Sequence, residues 1–317
     1  YMNKTPQEAY APFEGVQPPF TPFHDATPIA CTYNLSVLDC LMGMAKARDF
    51  QFFSFDTFDC DEYEYYEQVE NGDLNWYQEG KWLAFAGPHE TRAMTQDGYQ
   101  TLTVEDYAPY FRKKGIELVV RLNKKYYDET KFTRHGIRHI EMYYLDGSNP
   151  PARILNRFLT EAEATPGGIA VHCKAGLGRT GTCIGCYIMK HQKFTAAEII
   201  GWMRICRPGS IIGPQQHFMA DMEQTMWREG DLFRQRQQQQ AGSRSRLAEQ
   251  REMDSMSSGM GSIALSGGGG GRYSQGRQAG KAASEEEHDD RRVRGERAEE
   301  AKATTQGDRL RAARSKA

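Results

Sequence analysis

Residues 168–172, GIAVH, form a short apolar run that passes without a spacer into a loop holding Gly176 and Gly178, and then into an apolar-periodic stretch through about residue 191. A buried strand that feeds a tight loop and a helix is half of a parallel βα unit. Upstream, residues 82–86 and 116–122 read as short buried strands, and a helix bracketed by Thr103, Asp106 and Gly115 lies between them. Residues 137–145 read as a further strand that runs into the Asp146-Gly147-Ser148 turn. An amphipathic helix follows over 153–162, with Ile154, Leu155, Phe158, Leu159 and Ala162 on one stripe. The box Thr195-Ala196-Ala197-Glu198 opens another helix, which ends before Pro208. Strands alternating with helices predict an α/β fold whose central, mostly parallel sheet is flanked by helices.

The two ends of the chain differ from this middle. Residues 1–28 carry six prolines and suit an extended or loop-forming segment, and an apolar stripe over 34–48 predicts one helix after it. Residue 1 is Tyr, which suggests a piece of a longer protein with an incomplete first unit. From Arg234 to Ala317 there is one aromatic residue, Tyr273, and only Leu247, Ile263, Leu265, Val293 and Leu310 among the large aliphatics. Such a stretch buries too little apolar surface to offset its ordering entropy, so a disordered tail is expected from 234, with the globular part ending near Phe233. The tail also holds a Gln run, a Gly run and a weak nuclear-import candidate at Arg291-Arg292.

The net charge of −2 divides into about −7 for the body and +5 for the tail. An acidic body argues against nucleic acid as a partner and favours basic ones. Eight carboxylates and no Lys or Arg lie between Ser54 and Asp73. Most such runs are solvated faces; the functional alternative is a site for a cationic peptide. No apolar run reaches the roughly 18 residues of a membrane span, and no leader opens the chain, so a soluble intracellular protein is expected. Seven cysteines, an odd number without paired spacing, fit reduced thiols. Cys183 and Cys186 are spaced C-x-x-C but lie in an apolar helix pattern, where cysteine packs as a small hydrophobe.

The chemistry concentrates at His172-Cys173-Lys174-Ala175-Gly176-Leu177-Gly178-Arg179-Thr180-Gly181. Strand, Gly-containing loop and helix N-terminus build an anion cradle from main-chain N–H groups and the helix dipole. A cysteine facing that cradle is favoured as thiolate, the nucleophilic form. Arg179 can close on the anion with two parallel N–H donors, and Thr180 can donate to the sulfur. His172 reads as a residue that orients the loop. The loop lacks the Gly-Lys-Ser/Thr ending of a nucleotide P-loop. Asp146, on the turn after a strand and before Gly147, is in isolation an ordinary turn former.

This H-C-x5-R-T loop resembles that of cysteine-dependent phosphatases of the tyrosine and dual-specificity superfamily. GDLNW (72–76), FAGPH (85–89), RLNK (121–124), DGS (146–148), CYIMKH (186–191) and RICRPGSIIGPQQ (204–216) extend the resemblance to the Cdc14 family over about residues 22–231. The resemblance implies tandem dual-specificity-phosphatase-like domains: a remnant of the first over 1–60, an acidic linker helix over 61–74 and the catalytic domain over 75–233, ahead of the tail at 234–317. It implies hydrolysis of phosphoserine, phosphothreonine and phosphotyrosine through a phosphocysteine intermediate, with Cys173, Arg179 and Asp146 catalytic. Lys174, Ala175, Gly176, Leu177, Gly178 and Arg179 would hold the phosphate, with no cofactor or metal. It further implies phosphoSer-Pro substrates with a downstream basic residue met by Glu64 and Glu67, water positioned by Gln215 and Gln216, reversal of cyclin-dependent kinase phosphorylation in cell division, and a nuclear or cytoplasmic place, including centrosome or spindle. Two readings stay open beside it: a phosphoinositide phosphatase and a phosphopeptide-binding scaffold. A phosphoinositide enzyme would be expected to carry a second basic residue in the loop, where position 177 is Leu.

Overall fold

The computed structural model describes residues 4–27, 30–95 and 98–260, with side chains to 243. The first helix, α1 (Pro6–Tyr10), departs from the loop expected there: Thr5 and Glu8 form a capping box and Pro6 sits in the first turn, where it lacks no needed donor. Helix α2 (Val37–Asp49), capped by Ser36 and Asp39, and α3 (Cys60–Glu67), capped by Asp59, precede the sheet. The chain then runs β1 (Leu74–Gln78), β2 (Trp82–Phe85), α4 (Val104–Lys113), β3 (Ile116–Arg121), α5 (Thr130–Arg134) and β4 (Arg138–Glu141). It continues through α6 (Ala152–Ala164), β5 (Gly168–His172), α7 (Gly178–Gln192), α8 (Ala196–Cys206) and α9 (Pro214–Met260).

The sheet order is β1-β2-β5-β3-β4, antiparallel only between β1 and β2. All five residues of the central β5 are buried. Alternation along the strands divides the core. Ile169 and Val171 of β5, with Leu118 and Val120 of β3 and Trp82 and Ala84 of β2, join the cluster under α6 to α9. Ala170, Val119, Leu83 and Phe85 join the cluster under α4 and α5. Leu35, Ala47 and Phe52, from the N-terminal stretch, belong to the first of these clusters. Helix α2 approaches α8 closely at glycine: a Cβ on Gly201 would lie 2.9 Å from Cys40 Cα.

Further elements differ from expectation. Strand β4 ends at Glu141; beyond it the Met142 and Tyr144 N–H groups still donate to the Arg121 and Leu122 carbonyls, at 2.9 and 3.3 Å, before the chain reaches the Asp146 turn. The acidic helix ends at Glu67, not at 74, because Gly72 and Asp73 turn the chain into β1, Asp73 in the left-handed region at φ 46°. Disorder from 234 is corrected for 234–260, which are helical as the end of α9. Gln, Arg, Ala, Leu, Glu and Met are good helix formers, and they propagate a helix already nucleated by packed first turns at Met219 and Met226. The remainder of the expected tail, with Arg291-Arg292, lies outside the described residues. Among those described, no helix is long and apolar enough to cross a membrane.

Candidate active site

Strands β2, β3 and β5 are parallel, so their carboxyl ends open on one side of the sheet, where ligands of such folds bind. Beyond β5 the loop 173–177 leads into α7, whose first residue is Gly178. Gly176 needs its lack of a side chain: φ is +66°, and a Cβ would collide with the Phe85 carbonyl of β2.

Four consecutive carbonyls of the loop are tied down. His172 Nδ1 lies 2.8 Å from the Cys173 oxygen, and Gly87 N–H donates to the Lys174 oxygen at 3.0 Å. Arg207 donates to the other two, Nη2 to Ala175 at 2.8 Å and Nε to Gly176 at 3.0 Å. In a trans peptide the N–H points opposite the carbonyl, so fixing these oxygens turns the N–H groups of residues 174–177 the other way. The result is a preorganised anion cradle at the start of a fifteen-residue helix. Cys173 stands at its beginning, 3% exposed.

Arg207 is itself fully buried, and its charge is met by Asp73 at 2.8 Å and by Asn75 at 2.6 Å. The role of Arg207 was not legible beforehand, since nothing in its spacing from residues 175 and 176 announces a contact. The only cue is an arginine that closes an apolar helix before Pro208-Gly209.

Arg179 lies in the first turn of α7 with no exposed surface. Its Nη1 donates to the Tyr144 carbonyl at 2.8 Å, and its Nη2 is 3.1 Å from Asp146 Oδ1. Residues 142–145, which continue past β4 beside Arg121 and Leu122, carry the acid turn onto the guanidinium. Asp146, which precedes the Cys173–Arg179 loop in sequence, is thus brought to the same end of the sheet. The Thr180 hydroxyl, in the same helical turn, is buried without a hydrogen-bond partner among the described residues.

His172 is held from its far side by Tyr127, whose hydroxyl is 2.7 Å from His172 Nε2 and 2.8 Å from His139 Nε2. Because a carbonyl faces Nδ1, His172 must carry its proton there and accept from Tyr127 at Nε2; His139 then donates to the Tyr127 oxygen. Burial holds His172 well below the usual imidazole range, and burial with the Arg121 charge brings His139 down to about 3. The pair is neutral at physiological pH, in keeping with an orienting and not a proton-transferring His172.

The remaining expected residues fall in different surroundings. Gln215 Nε2 donates to the Ser148 carbonyl of the acid turn at 3.1 Å, and its Oε1 accepts from Ile212 N–H at 3.2 Å. Gln216 instead donates to Asp25 at 2.5 Å and accepts from Arg204 at 2.7 Å. Glu64 is exposed on α3 and Glu67 is half-buried there. Glu62, one turn earlier, is met by Lys114 at 2.7 Å and Tyr110 at 3.1 Å, and Tyr63 donates to the Cys206 carbonyl at 3.1 Å, beside Arg207. Cys183 and Cys186 are fully buried; burial pushes the Cys183 thiol up to about 12 and that of Cys186 well above its ordinary value.

Two family descriptions match the chain: dual specificity phosphatase, catalytic domain, over residues 103–226, and dual specificity protein phosphatase, N-terminal half, over 1–47. Dual specificity protein phosphatase CDC14A of Homo sapiens is 56% identical over 235 residues, which is 74% of this chain and 39% of that protein. This chain belongs to the Cdc14 family of dual-specificity phosphatases. Tyrosine-protein phosphatase CDC14 homolog of Schizosaccharomyces pombe is 42% identical over 223 residues, 69% of this chain and 41% of that protein. The chain spans about two-fifths of the length of these Cdc14 relatives. A solved structure of kinase associated phosphatase aligns with a TM-score of 0.40 at 16% identity, over 46% of this chain and 86% of that one. Both family matches touch the site described above. Cys173, Arg179, Asp146 and Arg207 fall within 103–226, and Asp25 within 1–47.

Proposed function

We propose that this Cdc14-family chain is a cysteine-dependent protein phosphatase that hydrolyses phosphoserine, phosphothreonine and phosphotyrosine esters. The single observation that carries the reading is the set of four fixed carbonyls behind residues 173–176, with Arg179 and Asp146 3.1 Å apart at the mouth of the cradle. An entering phosphoryl group takes the N–H groups of residues 174–177 and the Arg179 guanidinium as donors to its equatorial oxygens. The Cys173 thiolate forms the S–P bond as the P–O bond to the leaving group breaks, and protonated Asp146 transfers its proton to the departing oxygen. Water then attacks phosphorus, its proton passes to ionised Asp146, and the S–P bond breaks to regenerate thiolate and release inorganic phosphate. Thr180, a buried hydroxyl in need of a partner, donates to the sulfur as it leaves.

For substrates we propose phosphoSer-Pro sites with a basic residue downstream, as cyclin-dependent kinases produce them, and a role in cell division in the nucleus or cytoplasm. Glu64 and Glu67 supply negative charge on α3, a helix that Tyr63 anchors next to Arg207 and so to the back of the cradle. A phosphoinositide headgroup is the less favoured substrate: Leu177 is 1% exposed and packs with Ala175 and Ile212, where a polyanion calls for a further cation. A phosphopeptide-binding scaffold is less favoured because Cys173, Arg179 and Asp146 are all present and assembled. A matched panel tests the assignment: phosphoSer-Pro against phosphoSer-Ala and phosphoTyr peptides, with and without a downstream Lys, beside phosphoinositides. The reading expects phosphoSer-Pro with Lys to be turned over best; indifference to Pro and Lys removes the specificity but leaves the chemistry.

A further inference from the structure

Asp146 reaches the cradle on a turn whose Ser148 carbonyl is held by Gln215, a fully buried amide that also accepts from Ile212 N–H. A Cβ on Gly178 would lie 2.7 Å from Gln215 Oε1, so this amide is wedged between the acid turn and the first residue of α7. Gln215 stands in the first turn of α9, so the strut is only as firm as the loop 207–213 that sets where this helix begins. That loop has Ile211 in the left-handed region, at φ 57°, between Gly209 and Gly213; for a β-branched residue such a backbone persists only where its surroundings hold it.

Asp25 holds it, from 188 residues away in sequence. Its Oδ2 accepts Gly213 N–H at 2.8 Å and Gln216 Nε2 at 2.5 Å, while Oδ1 accepts the N–H of Thr27 at 2.8 Å and the Thr27 hydroxyl. Gln216 passes the restraint to Arg204, which also donates to the carbonyls of Ser210 at 3.0 Å and Ile211 at 2.6 Å and lies 5.2 Å from the Phe23 ring. Asp25 is 5% exposed. Burial would raise its carboxyl, but the hydrogen bonds from Thr27 and Gly213, with the Arg204 charge, outweigh it and keep the group ionised below its ordinary value.

We propose that Asp25 is a positioning residue for the catalytic acid: by fixing Gly213 and Gln216 it sets Gln215, and through Gln215 the turn that presents Asp146. The N-terminal segment thereby contributes to the chemistry of a site built from residues more than 100 positions later. The inference rests on the phosphatase reading above and adds a residue to it.

The test uses the full chain and two substrates, a phosphoserine peptide, whose alkoxide leaving group needs the acid, and p-nitrophenyl phosphate, whose leaving group needs little proton help. Asp25→Asn keeps the shape but sets an amide N–H either against the donors of Gly213 and Gln216 or against the N–H of Thr27, so in both orientations the four-donor clamp is broken. It is expected to lower kcat/KM about 10-fold on the peptide and less than about 3-fold on the aryl ester. In a Gln215→Ala background it should add less than about 2-fold on the peptide, since both changes act through one strut. A merely structural role lowers both substrates equally, and equal losses, or full multiplication in the double variant, overturn the proposal. Should Asp25→Asn fail to fold, Thr27→Val, which removes one hydroxyl donor from the same carboxylate, must show the selective loss in smaller measure; its absence overturns the proposal too. Failure of the phosphatase reading looks different: wild-type chain without turnover, or activity that survives Cys173→Ser. Cys173-dependent wild-type activity with an unselective Asp25→Asn refutes the positioning role alone.

Discussion

The loop 173–177 and the turn 145–149 each carry one of the side chains proposed as catalytic, and they are held differently. Every carbonyl from Cys173 to Gly176 is engaged, by groups drawn from β2's far end, from β5 and from the loop after α8, and the loop residues are buried apart from half-buried Lys174. Residues 142–144, which lead into the acid turn, are tied through the Met142 and Tyr144 N–H groups to the Arg121 and Leu122 carbonyls. The turn itself, 145–149, meets the rest of the protein chiefly through Gln215 on the Ser148 carbonyl and Arg179 beside Asp146, and Leu145 within it is 46% exposed. The difference follows from the two tasks. On the proposed mechanism, a cradle that stabilises a transition state gains most when its donors are already oriented, whereas an acid that rests on the cradle's arginine has to make room for an entering phosphate.

The comparison is broken most severely at the nucleophile. Cys173→Ser should lower turnover by about 10⁴-fold or more while phosphopeptide binding, read by calorimetry, persists, because the donors remain in place. On the other side, Asp146→Ala should cost about 10²- to 10³-fold in kcat/KM on alkyl phosphate esters and far less on activated aryl esters. Equal losses on both would remove Asp146 from the acid role.

Arg207→Met sharpens the contrast, since it strikes the back of the cradle without touching the acid turn. It strands Asp73 as a buried charge and frees two loop carbonyls, so a loss of about 3–5 kcal/mol in stability is expected from denaturant unfolding. Vanadate affinity should fall in the folded fraction.

The smallest effect concerns acid. His172 and His139 have depressed values when folded, so the unfolded chain takes up their protons first. The stability they contribute is complete above about pH 6.5, the unfolded value, and declines as pH falls toward about 3 for His139. His139→Gln should therefore flatten the acid limb of a stability profile between those limits, and an unchanged limb would place the acid sensitivity elsewhere.

How much of this was legible depended on local punctuation. Strand β5 was read to the residue because apolar positions fill it and a glycine-bearing loop ends it; α4 and α8 announced themselves through Thr103 with Asp106 and Thr195 with Glu198. Strand β1 was missed because Asn75 interrupts its apolar run, and that asparagine is buried to serve Arg207. The pattern predicts a longer β4, since Met142, Tyr143, Tyr144 and Leu145 look like strand residues; regular pairing stops at Glu141, and the Tyr144 carbonyl is taken by Arg179. Of the site, Cys173, Arg179 and Asp146 follow from one motif and one turn. Arg207, Tyr127 and Asp25 do not, because their partners lie 31, 45 and 188 residues away and only folding brings them together.

The most direct trial of a cysteine nucleophile in a preformed cradle is to quench the enzyme in acid during turnover of a phosphopeptide and map the phosphoryl group by mass spectrometry. One phosphoryl group on the peptide that carries Cys173, absent from Cys173→Ser and enriched in Asp146→Ala with an activated aryl phosphate, is the predicted result. Turnover with no phosphorylated enzyme at any time, or with the phosphoryl group on another residue, would contradict it.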